Sequence, residues 1–231
     1  MFLTADWFNG IDLIFELVGF MVALLIAGYS LKSYKISGEK RFQYFSLAFI
    51  LISLSLFMKV ITSSAVYFEQ ARMVADVLIR PALGSGREYS TLFYNAGFFL
   101  EMASMLGGWL LLFFVSQKAR GRLRKYYELS QMGLFVYLVL LISWIANFKN
   151  VAFYLTGTVL LSLIVLNYYK NYLNNGNKNT LLVMNSFVLM FIGNLLFVFM
   201  TVIPLLYVLG QIFLLMGFIL LLYTYMKVRR K

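Results

Sequence analysis

Long apolar runs, broken by short polar segments rich in lysine and arginine, follow one another along almost the whole chain. Seven runs stand out, at residues 12–31, 44–67, 92–117, 132–148, 151–169, 181–200 and 203–226. About 20 apolar residues carry an α-helix across roughly 30 Å of hydrocarbon. The pattern predicts an all-α integral membrane protein: a seven-transmembrane-helix bundle forming one domain over residues 1–231. Only Lys149 and Asn150 separate the fourth and fifth runs. The sixth and seventh turn at residues 201–204. There Pro204 suits the first turn of a helix, where its missing N–H would have no partner. Asn179 or Thr180 is expected to cap the sixth helix.

Composition strengthens the reading. Of 231 residues, 62% are hydrophobic and 13% charged, too few charges to cover a water-facing surface. The formal net charge is +11, but most of the basic residues flank apolar runs, so nucleic acid is not an expected partner. Fifteen lysines and arginines fall in the first, third and fifth connections and the C-terminal tail, against four on the opposite side. The basic side should be cytoplasmic, which puts the N-terminus outside and the C-terminus in the cytoplasm, in a plasma membrane. The N-terminus carries Asp6 and Asp12 where a signal peptide would be basic, so the first run is read as retained.

One connection, residues 68–91, is long and lies outside. Glu69, Arg72, Asp76 and Arg80 recur three or four apart, the spacing of one helical face. They predict a short amphipathic helix, read either as lying on the membrane surface or as a lid. Small residues recur at helix-packing spacing: Gly19, Ala23 and Ala27; Ser104 and Gly108; Gly210 and Gly217. Packing within the bundle is the first reading, and homo-oligomerisation through such a face the alternative.

Besides tyrosines, Glu16, Lys59 and Glu101 are the ionisable side chains well inside runs. Such groups are costly in lipid and face the bundle interior or a wet cavity. At about 1.5 Å per residue, all three lie roughly 5 to 8 Å outward of their span centres. Lys59 and Glu101 share nearly one depth, which predicts a Lys59–Glu101 ion pair with Glu16 close by. Asn194 and Gln211 fall at the same level on the sixth and seventh runs. Glu16, Lys59, Glu101, Asn194 and Gln211 are therefore the candidate ligand-binding residues of an outward-facing polar pocket. Two acids against one base leave room for a cation, a proton or an ammonium-bearing ligand.

The chain has no histidine and no cysteine, so disulfides, haem and zinc of the usual kind are excluded, and no cofactor, metal or catalytic residue is expected. The last run has no lysine for a retinal Schiff base. The predicted function is a receptor-like or sensor-like multi-pass protein for a small polar or cationic ligand. A small-solute or ion transporter or channel is one alternative. The other is a non-catalytic subunit of a larger membrane complex, with a protein partner. The lipid bilayer is a partner on every reading.

Overall fold

The computed structural model describes residues 8, 10–68, 73, 89–117 and 150–229. The fourth predicted run (132–148), nearly all of the outer loop (69–88) and the basic stretch from Lys118 to Lys125 lie outside the described residues. Apart from short turns, the described chain is helical: α1 (Ile11–Ser37), α2 (Lys40–Tyr67), α3 (Tyr89–Gln117), α4 (Asn150–Asn175), α5 (Lys178–Val198) and α6 (Leu205–Arg229). All six are long and apolar enough to cross a membrane.

Helices α1 and α4 outrun their apolar runs and end where a glycine takes a left-handed backbone. Gly38 (φ 69°) ends α1, its N–H bonding back to the Tyr34 carbonyl at 2.8 Å. Gly176 (φ 58°) ends α4 in the same way on Tyr172. Such a backbone is open to glycine without steric cost. The chain reverses directly after Gly176, so α5 begins at Lys178. Its cap is Asn177, whose side chain accepts the Asn179 N–H at 3.0 Å, and not the predicted Asn179 or Thr180. Pro204 does stand at the first turn of α6: the Tyr207 N–H bonds to its carbonyl at 3.1 Å.

Each helix packs on the next and α6 closes back on α1, giving a ring in chain order. Side-chain pairs set the registers. Ser46 on α2 donates to the Ala27 carbonyl on α1, and Ser30 on α1 to Phe42 on α2, so these two helices are antiparallel. Ser55 on α2 donates to the Glu101 carbonyl on α3, while Gly108 packs on Ile52, again antiparallel. Helices α3 and α4 differ. Asn167 donates to Ser116 at 2.9 Å near the C-terminal ends of both, and Trp109 lies against Gly157 nearer their starts. They run parallel. So do α1 and α6, where Tyr207 reaches Glu16 at one end and Tyr225 meets Ser30 at the other. The start of α1 and the end of α6 therefore lie at opposite ends of the bundle.

The core is aromatic at mid-height. Trp109 stacks on Phe218 with ring centroids 6.4 Å apart, and Phe49 meets Phe218 edge-on at 6.3 Å. The tightest seam is α5 on α6. A Cβ on Gly193 would lie 2.8 Å from the Gly210 carbonyl, and one on Gly217 2.8 Å from the Ser186 carbonyl. Only glycine lets the backbones meet so closely. The outer surface is the reverse of a soluble protein's: Ile14, Met21, Leu25, Val159, Met216 and Ile219 are about half exposed or more. In water this belt would drive aggregation, whereas in lipid it is the solvated face. The protein is an integral, multi-pass membrane protein. Lys32, Lys35, Lys40, Arg41, Lys170, Lys178 and Lys227 all gather at one end, called here the basic end.

Candidate functional site

Toward the opposite end, the first two turns of α1 and α6 and the last third of α2 bring charged and polar side chains together inside the ring. Lys59 on α2 extends toward α1 and α6. Its Nζ lies 2.9 Å from Glu16 Oε1 and over the Tyr207 and Phe197 rings, 5.4 and 5.9 Å from their centroids. Cation–π attraction at this range adds to the ion pair. The Tyr207 hydroxyl donates to the same Glu16 oxygen at 3.4 Å and accepts from Gln211 Nε2 at 3.0 Å. The chain of contacts thus runs Gln211, Tyr207, Glu16, Lys59 across three helices.

A second contact fixes the end of the bundle. Asp12 Oδ1 accepts the Gly10 and Leu13 N–H groups at 3.0 and 3.1 Å, and its Oδ2 accepts the Tyr67 hydroxyl at 2.8 Å. Asp12 thereby satisfies open backbone donors at the start of α1 and ties that start to the end of α2.

Carboxyl groups outnumber amines at this level. Glu101 on α3 is buried, within electrostatic reach of Lys59 and Glu16. Yet within ion-pair distance Lys59 meets Glu16 alone among the described residues. The Oε2 atom of Glu16 is buried, with no hydrogen-bond partner among the described residues. A buried acceptor left unmatched costs about 1–3 kcal/mol, more when charged. Glu16 and Glu101 therefore share one lysine, while Asp12 is matched by Tyr67 and two backbone N–H groups.

The ion pair differs from the one that depth alone predicts. Lys59 pairs with Glu16 rather than Glu101. The α1–α2 register sets residue 59 opposite residue 16, between the contacts of Tyr67 with Asp12 and of Ser46 with Ala27. Toward α3, the same face of α2 instead presents Ser55, four residues earlier, to the Glu101 backbone. Glu16, Lys59 and Gln211 are joined through Tyr207. Asn194 is buried but turned away: its amide donates to the Met190 carbonyl of its own helix at 3.2 Å, and its oxygen packs on Gly157. Tyr207, Asp12 and Tyr67 were not among the candidates. Tyr207 was findable in principle, since it lies one turn before Gln211 on the same face of α6.

Glu16, Glu101, Asn194 and Gln211 are each 6% exposed or less. A cavity of about 310 Å³ lies at the basic end, among the ends of α2 to α6. No group of three or more histidine, cysteine, aspartate or glutamate residues able to hold a metal ion occurs among the described residues. Comparison with protein-family models, with curated proteins and with solved structures finds no match to this chain.

Proposed function

We propose that the chain is a seven-crossing, receptor-like membrane protein, with its N-terminus outside and its C-terminus in the cytoplasm, that responds to a small cationic ligand at the Glu16–Lys59–Glu101 layer. Two features support seven crossings. Helices α3 and α4 are parallel, so the end of α3 and the start of α4 lie at opposite ends of the bundle, and the sequence between them contains the apolar run 132–148. The start of α1 and the end of α6 also lie at opposite ends, as an odd number of crossings demands. The gathering of lysine and arginine at the end where α6 finishes favours that end as cytoplasmic.

The observation that carries the ligand reading is the surplus of buried carboxylate. Glu101 and the free oxygen of Glu16 sit beside a lysine already engaged. An ammonium group entering between them would supply the missing positive charge and donors. The burial of these residues fits a receptor in which ligand exchanges for internal contacts.

The test is a panel of small primary and quaternary ammonium compounds against the purified protein in lipid nanodiscs. At least one should raise the thermal unfolding midpoint of the wild type, and Glu101→Gln should remove the response. Absence of any midpoint shift, together with saturable amine flux into proteoliposomes, would replace the receptor with a transporter.

A further inference from the structure

The cavity at the basic end plays no part in that reading. It holds about 310 Å³ and is lined by residues of five helices and the α4–α5 turn, which makes it a mouth on the bundle axis rather than a crevice on one flank. That volume is at the lower end of small-molecule sites. One wall is apolar, from Phe42, Phe45, Val115 and Val183. The rest is a set of hydrogen-bond donors: the Arg41 guanidinium, the amides of Asn171, Asn175 and Asn179, and the Thr180 and Tyr168 hydroxyls. Among the described residues the lining includes no aspartate or glutamate.

These donors are unspent. Ser116 and Thr224 bond to backbone carbonyls and Asn177 caps α5, so those three serve the fold. Among the described residues, the Arg41, Asn171, Asn175, Asn179 and Thr180 side chains make no hydrogen bond or ion pair with the protein; Arg41 only lies 5.6 Å over the Phe42 ring. Lys40 and Lys178 stand beside Arg41 and Asn179 in sequence, adding positive potential at the rim. The first turns of α2 and α5 both open here, with their N–H groups directed to this end.

We infer that this cavity binds a phosphate-bearing group, with Arg41 as its charged anchor and Asn171, Asn175 and Thr180 as neutral donors. A guanidinium fork matches two phosphate oxygens, and neutral donors without competing carboxylates complete an oxyanion shell. The same chemistry would suit a soluble phosphorylated molecule or an anionic phospholipid headgroup reaching in from the membrane surface.

The experiment uses the full chain in nanodiscs. In phosphatidylcholine discs it is titrated with inorganic pyrophosphate, against sodium chloride at matched ionic strength. In parallel, discs containing phosphatidic acid are compared with phosphatidylcholine alone. The thermal unfolding midpoint is read by tryptophan fluorescence. A rise with pyrophosphate identifies the soluble source, and a rise confined to phosphatidic acid identifies the lipid source. In either case Arg41→Gln should weaken the response at least about tenfold, the loss expected for one charge-assisted contact. Arg41→Lys should fall between, keeping the charge without the fork. Lys227→Gln, a basic-end residue outside the lining, should leave the response intact. The inference fails if neither probe moves the midpoint beyond the salt control. It also fails if Arg41→Gln responds like the wild type, or if Lys227→Gln loses as much as Arg41→Gln.

Discussion

The two ends of the bundle handle polar groups in opposite ways. Toward the α1 start, polar groups are buried and mostly joined to one another: Lys59 to Glu16, Glu16 to Tyr207, Tyr207 to Gln211. At the basic end, donors surround open space, and most match nothing among the described residues. The contrast follows from where desolvation occurs. A charge within the hydrocarbon level must find a partner or lose several kcal/mol. A polar group at the rim keeps its water until something displaces it. The first region therefore holds the fold in register around its one surplus of carboxylate, whereas the second leaves a whole set of donors open.

That division is easiest to break at Glu16. Glu16→Ala leaves the Lys59 ammonium without its ion-pair partner and should destabilise the protein by about 3–5 kcal/mol. The combined change Glu16→Leu with Lys59→Met should recover most of that loss, because an apolar pair of similar size removes both charges together. Chemical unfolding in detergent micelles measures both. If the double variant is as unstable as the single one, the pair is not the element that holds α1 to α2. Tyr207→Phe is a milder test. It keeps the ring beneath Lys59 and removes two hydrogen bonds, leaving a Gln211 donor unmatched, for a loss of about 1–3 kcal/mol in the same assay. The smallest effect belongs to the other end. Arg41→Gln should change unfolding free energy by no more than about 0.5 kcal/mol, as for an exposed side chain without partners. A loss as large as that of Tyr207→Phe would make Arg41 structural and erase the contrast.

Much of the fold was legible in the sequence, and the reasons mark where legibility stopped. Hydropathy locates helices because hydrocarbon thickness sets their length, and six of the seven runs coincide with described helices. Helix ends were less legible. They answer to single residues such as Gly38 and Gly176, not to the edge of the apolar run. Depth along a helix was readable too, and it gathered Glu16, Lys59 and Gln211 at one level. Depth does not say which neighbour a side chain faces, and that is why Lys59 was matched to Glu101. The choice rests on the α1–α2 register, which Ser30 and Ser46 fix from the far end of the same pair of helices. Asn194 shows the same limit: its level is right, but its amide bonds to its own helix. The cavity was not legible at all, since its lining comes from five helix ends that are distant in sequence.

The glycine seam between α5 and α6 also bears on movement. With Gly193 against the Gly210 carbonyl and Gly217 against that of Ser186, backbone lies close to backbone, and the Phe197 and Met190 side chains close the seam beside Gly210 and Gly217. The two helices are in effect one stiff strut. Tyr207 stands near its first end and Tyr225 on the cavity wall at its second, 18 residues and roughly 27 Å away along α6. A tilt of that strut which loosens the grip of Tyr207 on Glu16 must swing Tyr225 as well, so the wall of the basic-end cavity inherits any displacement that begins among the buried charges.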